Sequence, residues 1–198
     1  MNHLAHALLS DPGGDEFALG SALGDFVRGH PDPEWPAARR AGLRFHRAID
    51  HYTDAHPEVV AARNLFVAPM RRYAGIVLDV WFDHLLVQEW DHCNTDEPLT
   101  SFARRWLMLL DTRATELPES LRAFLQWMHT HGLPAAYADE ATLDGVFHAL
   151  ARRLCRPSPV GDALPALHAH AGALQLHFDA FFPDLMAHAR ELRHDLLP

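Results

Sequence analysis

Apolar residues at helical spacing, interrupted by proline and glycine, are the feature that most constrains the fold of this chain. The longest such run extends from Arg71 to Trp90 and includes Ile76, Val80 and Leu86. A repeat close to 3.6 residues predicts a helix with one buried face. No sustained alternation of apolar and polar residues, bounded by hairpin turns, indicates a sheet. The sequence therefore predicts an all-α fold.

The same spacing predicts further helices on both sides of that run, with proline and glycine marking several of the boundaries. The predicted helices cover residues 2–9, 16–28, 35–52, 58–67, 71–90, 99–116, 119–131, 139–154 and 163–193. We expect the last of these to be broken at Pro183. No internal repeat, low-complexity segment or linker divides the sequence, so we expect residues 1–198 to form a single-domain helical bundle.

Charge and cysteine content exclude several classes of protein. The 198 residues carry a formal net charge of -9, which argues against a general nucleic-acid binder. Cys93 and Cys155 lie far apart, so we expect neither a disulfide framework nor a zinc ribbon, and a reducing compartment fits. No signal peptide and no apolar run of about 20 residues is present. We expect a cytoplasmic protein without a membrane span; the sequence leaves its oligomeric state open.

Histidine and aspartate residues recur at a spacing that suits a metal site. His46 and Asp50 are four residues apart in one predicted helix, and Asp79 and Asp83 repeat this spacing in another. Residues four apart lie on one face of a helix. Facing helices of a bundle often build metal sites from such side chains. The candidate ligands are His6, Asp25, His46, Asp50, Asp79, Asp83 and His84.

This mixture of imidazole and carboxylate ligands suits manganese, iron, zinc or magnesium. Metals held in this way polarise a phosphoryl oxygen and lower the pKa of water, which is the chemistry of phosphoester hydrolysis. The alternative is that the aspartates form buried ion pairs with nearby arginines. No Gly-x-x-x-x-Gly-Lys-Ser/Thr loop indicates a nucleotide triphosphatase.

Seven arginines lie close in sequence to the acidic candidates. They are Arg28, Arg39, Arg40, Arg44, Arg47, Arg71 and Arg72. One interpretation is a solvated helix face. The other is a basic rim that binds phosphate or an acidic partner, which a local patch can do even when the total charge is negative.

The first half of the chain carries four blocks in a defined order. They are Asn2-x-Leu4-Ala5-His6, Gly20-x-x-x-Gly24-Asp25-Phe26-Val27-Arg28-Gly29, His46-Arg47-x-Ile49-Asp50-x-x-Thr53-Asp54 and Asp79-Val80-x-x-Asp83-His84. Over roughly residues 1–92 their order and spacing resemble the acyl carrier protein phosphodiesterase family, also called acyl carrier protein hydrolase. Looser similarity continues in Leu150-Ala151-Arg152-Arg153 and Phe178-x-x-Phe181-Phe182-Pro183. One departure is Ser21, where the family pattern commonly has Asn.

The resemblance implies an all-helical fold distantly related to the HD-type metal-dependent phosphohydrolases. It implies hydrolysis of the phosphodiester that joins 4′-phosphopantetheine to a serine of holo-acyl carrier protein. A divalent metal is implied, with Mn²⁺ favoured and Mg²⁺, Fe²⁺ or Co²⁺ as other candidates. Carried over by motif, Asp25, His46 and Asp50 are the catalytic candidates. The metal ligands are Asp25, His46, Asp50, Asp79, Asp83 and His84, with His6 as a further candidate.

Acyl carrier proteins are strongly acidic, so the resemblance also suggests a purpose for the arginines, which would bind the carrier protein. Two other functions stay open at this stage. One is an HD-like phosphohydrolase that acts on a small phosphodiester or a nucleotide. The other is a non-catalytic module that binds acidic proteins.

Overall fold

The computed structural model of the protein describes residues 3–93 and 96–197. Within these residues every regular element is a helix, which confirms the all-α prediction. The α-helices are α1 His3–Ser10, α2 Asp15–Ala22, α3 Ala37–Ala55, α4 Pro57–Asn64, α5 Ala74–Gln88, α6 Trp90–Cys93, α7 Leu99–Thr112, α8 Glu119–His131, α9 Glu140–Arg153, α10 Ala163–Ala169 and α11 Ala171–Leu196. Short 3₁₀ turns cover Asp11–Gly13, Met70–Tyr73, Ala114–Glu116, Ala135–Ala138 and Pro159–Asp162.

Two predicted boundaries were wrong. The helix expected over 16–28 ends at Ala22, because the chain then turns, with the N–H of Gly24 donating to the carbonyl of Ser21. The last helix is broken at His170 and continues through Pro183. Pro183 and Asp179, four residues before it, are both exposed, so water can bind the carbonyl that the missing N–H leaves without a partner.

Helices α2 and α3 cross with their backbones in direct contact. A Cβ atom on Gly20 would lie 2.0 Å from the carbonyl oxygen of Arg39, and one on Gly42 would lie 2.0 Å from that of Phe17. Any side chain at these two positions would force the helices apart. The two glycines therefore set the distance between α3 and the turn that follows α2.

The helices pack around one hydrophobic core. Helix α11 packs against α3, α4, α1 and α5. The rings of Phe17 and Phe45 join α2 to α3 with centroids 5.0 Å apart, and those of Phe82 and Phe178 join α5 to α11 at 5.6 Å. In the described part of the chain, no helix combines the length and apolarity that a membrane crossing requires.

Candidate metal centre

Helices α1 and α3 bring His6, His46 and Asp50 together. Nε2 of His6 lies 2.9 Å from Oδ1 of Asp50, and Nε2 of His46 lies 3.2 Å from Oδ2 of the same carboxylate. Both imidazoles are buried, whereas the Asp50 side chain is 40% exposed. One potential ligand atom from each residue lies within 4.8 Å of the others, and no second such group occurs among the described residues.

Gly24 makes room for the ring of His46. A Cβ atom at this position would lie 2.1 Å from the imidazole. Since neighbouring atoms cannot approach so closely, any side chain here would displace the ring. The Gly24 backbone therefore forms one wall of the site.

Asp25 follows in the same turn and faces the cluster from its open side. Its Oδ1 lies 3.5 Å from Nε2 of His46, and its Oδ2 lies 3.9 Å from Nδ1 of His3. The Asp25 side chain is 53% exposed. The two carboxylates thus lie at the solvent side of the buried imidazoles, where a substrate can reach them.

Burial and mutual charge separate the pKa values of these groups. Burial, together with the charge of His46, lowers the pKa of His6 to about 3, against the opposing effect of Asp50. Burial also opposes protonation of His46, but Asp25 and Asp50 outweigh it and raise the pKa of this imidazole to about 9. Although burial raises the pKa of both carboxyl groups, the facing histidines lower that of Asp25 to about 2 and that of Asp50 further. At neutral pH the metal-free site therefore holds two carboxylates and one imidazolium.

The donor set fits a divalent cation. Nδ1 of His6 and both ring nitrogens of His46 are buried without a hydrogen-bond partner. The contacts of His46 Nε2 with the two carboxylates are therefore ion-pair contacts without hydrogen-bond geometry. Unpartnered buried nitrogens are costly in a structure. Two imidazoles with one or two carboxylates suit manganese, iron, zinc or magnesium.

Asp83 contributes to the site in a way that differs from the predicted ligand role. It is fully buried, and its two oxygens accept the N–H groups of Leu4 and Ala5 at 2.9 and 3.2 Å. A carboxylate at this position binds the first turn of α1 and fixes that helix, with His6, against α5. Burial raises the pKa of Asp83 to about 7, against the effect of the two N–H groups, and the charge of Asp79 adds to the rise.

His84 lies on another side of α5. Its Nδ1 contacts the carbonyl of Tyr137 at 2.7 Å, and its Nε2 contacts the side-chain amide of Gln88 at 2.9 Å. Adjacent residues on a helix do not face the same way, so His84 does not accompany Asp83. The ligand atoms of Asp79, Asp83 and His84 do not join the group formed by His6, His46 and Asp50. The structure thus divides the seven predicted ligands into a close cluster of three, Asp25 at the opening of that cluster, and three residues outside it.

Comparison with known proteins then decides the family. The family model for acyl carrier protein phosphodiesterase matches residues 1–185. The chain belongs to the acyl carrier protein phosphodiesterase family. The acyl carrier protein phosphodiesterase of Photorhabdus laumondii is 32% identical over 198 residues and covers 100% of both chains. Those of Shigella boydii and Escherichia coli O157:H7 are each 36% identical over 195 residues, which is 96% of this chain and 97% of theirs.

These matches confirm the family resemblance found in the sequence. No solved structure matches the chain. The distant relation of this family to the HD-type phosphohydrolases therefore stays a prediction.

The arginines of this family member do not form one exposed surface. Arg39 is buried and pairs with Glu16 and Glu116, each at 2.8 Å, so its predicted place on a solvent-facing rim is wrong. Arg40 donates to the carbonyls of Pro33 and Trp35.

Arg47 likewise binds backbone, since it donates to the carbonyls of Val27 and Gly29 beyond the Asp25 turn. It thereby fixes the segment that carries Asp25. The remaining four predicted arginines are exposed; they are Arg28, Arg44, Arg71 and Arg72.

Two features of the site were missed in the sequence. His3 contacts Asp25 and lies three residues before His6, a helical spacing that places both on one side of α1. Gly42, which lets α2 approach α3, carried no recognisable signal in the sequence.

Ser21, the departure from the family pattern, is buried between these helices, and its Oγ has no hydrogen-bond partner. It does not belong to the ligand cluster.

Proposed function

We propose that this chain hydrolyses the phosphodiester that joins 4′-phosphopantetheine to a serine of holo-acyl carrier protein. The reaction would need a divalent cation, with Mn²⁺ favoured, held by His6, His46 and Asp50 and with Asp25 at the opening. One observation carries the proposal: two buried imidazoles and a half-exposed carboxylate converge within 4.8 Å in a member of this family.

Each side chain has a separable task. The rings of His6 and His46 offer buried nitrogens to the cation, and Asp50 contacts both rings and orients them. When bound, the cation supplies a Lewis acid for the phosphoryl group and lowers the pKa of water. Asp25 is ionised at neutral pH and half-exposed, so its carboxylate can accept a hydrogen bond from water and orient that water at the opening.

The substrate protein would bind through the exposed cations. Arg28 lies three residues after Asp25, and Arg44 lies on α3, which carries His46 and Asp50. An acidic partner would be attracted by these charges, and its association would weaken as salt increases. Cys93 and Cys155 are both free, which supports a cytoplasmic location as part of the proposal.

Intact mass spectrometry of the carrier protein tests the proposed reaction. Holo-acyl carrier protein is incubated with the enzyme and Mn²⁺, and a parallel sample contains EDTA. We expect the mass of the apo-protein, together with free 4′-phosphopantetheine, only in the sample with metal. An unchanged carrier with Mn²⁺, Mg²⁺, Fe²⁺ and Co²⁺ would contradict the proposal. Turnover of small phosphodiesters without turnover of the carrier would favour the small-substrate alternative.

A further inference from the structure

An apolar groove lies beside the candidate metal centre. It has a volume of about 500 Å³ and is lined by residues of α1, α5, α8 and α9, with the 3₁₀ turn that contains Tyr137. None of the residues that line it, all within the described part of the chain, is acidic. Arg152 and Arg153 line it from α9 and carry positive charge. The groove thus differs from the carboxylate-rich site next to it.

Partly exposed aromatic rings form one wall of the groove. The ring of Phe124 lies 4.3 Å from that of His3 and 5.7 Å from that of Trp127, measured between centroids. Phe26, which follows Asp25 in the turn, extends this wall with its centroid 5.7 Å from that of Phe124. Such a surface can bury a narrow chain with alkyl segments.

His3 connects the groove to the metal centre. It lines the groove, and its Nδ1 lies 3.9 Å from Oδ2 of Asp25, whose other oxygen lies 3.5 Å from His46. Arg153 lines the same groove, so a positive charge lies on the side of the groove that His3 joins to the metal centre.

We propose that this groove binds the pantetheine arm of the substrate while its phosphodiester lies at the metal centre. This inference rests on the proposed function. The arm consists of short alkyl segments joined by amides and carries a phosphate at one end. Its alkyl segments match the aromatic wall, and the arginines match the negative charge of the phosphate end. The phosphate end faces His3, and the thiol end points away from the metal centre.

A variant that fills the groove provides the test. Ala149 lines it from α9, so Ala149→Phe occupies the space, whereas Ala141→Phe adds the same ring to an exposed position of the same helix outside the groove. We expect Ala149→Phe to raise KM for holo-carrier protein at least tenfold without changing hydrolysis of bis(p-nitrophenyl) phosphate. Ala141→Phe should match the wild type in both assays. Unchanged KM in Ala149→Phe would overturn the proposal.

A second variant tests the groove in case Ala149→Phe does not fold. Trp127→Ala removes part of the aromatic wall from a partly exposed position and should also raise KM, with thermal unfolding used to confirm that the protein is folded. A folded Trp127→Ala protein that keeps the wild-type KM would overturn the proposal in the same way.

Direct binding separates the groove from the proposed reaction. Calorimetric titration with free 4′-phosphopantetheine requires no turnover. Binding by the wild type and Ala141→Phe, with at least tenfold weaker binding by Ala149→Phe, supports the groove. No binding, or equal binding by all three proteins, contradicts it. If the wild-type protein binds free 4′-phosphopantetheine in this way but does not release it from the carrier protein, the proposed function is contradicted instead.

Discussion

The imidazole of His6 stacks on that of His46, with ring centroids 3.7 Å apart and ring planes 12° from parallel. Two buried imidazolium ions could not lie so close, since like charges in a poorly solvated site repel strongly. The pair persists because Asp50 contacts both Nε2 atoms and only one ring is protonated. A divalent cation would replace that proton and use the unpaired ring nitrogens.

Asp50→Asn should abolish most of the activity and leave the fold intact. The substitution keeps the shape of the side chain but removes the negative charge that both histidines contact. We expect turnover of holo-carrier protein to fall by about 10–100-fold, as for loss of a direct partner of metal-binding histidines. Asp54→Asn, an exposed position in the same helix, is the matched control. Asp50→Asn with near wild-type turnover would remove Asp50 from the ligand set.

Gly24→Ala should damage the site through geometry alone. The added methyl group would lie 2.1 Å from the His46 ring, which must move. We expect Mn²⁺ binding and turnover to fall together, with a loss of about 1–3 kcal/mol in unfolding free energy from overpacking. Gly145→Ala in α9, where no atom lies within 4 Å of the added methyl, is the control and should leave both unchanged. Calorimetric Mn²⁺ titration of the two variants measures the difference, and equal affinities would show that His46 does not depend on Gly24.

Metal binding should release a proton and strengthen as pH rises. Asp25 and Asp50 overcome the effect of burial and raise the pKa of His46 to about 9, above its ordinary value of 6.5. Protonation of His46 thus stabilises the folded, metal-free protein. This stabilisation is fully present below pH 6.5 and is lost as pH rises through about 9. Because a metal binds the deprotonated ring, Mn²⁺ affinity should rise by about tenfold per pH unit up to pH 9.

Calorimetry in two buffers of different ionisation enthalpy measures that proton release. One proton per Mn²⁺ at pH 7.5 is the expected value. No proton release, with affinity constant between pH 7 and 9, would show that the cation does not bind His46.

Arg39 and Arg44 should behave differently although both lie on α3. Arg39 is buried in a pair with Glu16 and Glu116, so Arg39→Ala should lower the unfolding free energy by about 2 kcal/mol. Arg44→Ala, at an exposed position, should leave stability unchanged and raise KM for holo-carrier protein, more so at low salt. Chemical denaturation and salt-dependent kinetics separate the effects. If Arg44→Ala left KM unchanged at every salt concentration, Arg44 would not contribute to carrier binding.

Local spacing predicted the proximity of His46 and Asp50, the part of the candidate site that lies on one helix. His46 and Asp50 were predictable because residues four apart share a helix face. Asp83 shows the same spacing with Asp79, yet its oxygens accept N–H groups of α1, a tertiary contact that spacing within α5 cannot reveal. Burial of Arg39 likewise depends on glutamates from two other elements.

In the fold, too, features set by local sequence were predictable and features set by contacts between helices were not. Helix periodicity predicted the all-α architecture, and the helix expected over 119–131 has those bounds in the structure. The turn at Asp25 and the crossing at Gly42 depend on how α2 meets α3, so apolar periodicity alone placed Asp25 in a helix.

Anomalous diffraction from crystals soaked in Mn²⁺ tests the central claim most directly. Data collected on both sides of the manganese absorption edge locate the ion without reference to activity. We predict a peak within about 2.0–2.3 Å of an imidazole nitrogen of His6, an imidazole nitrogen of His46 and a carboxylate oxygen of Asp50. A peak at Asp79 and Asp83 with none at this cluster, or no ordered manganese at saturating concentration, would contradict the account.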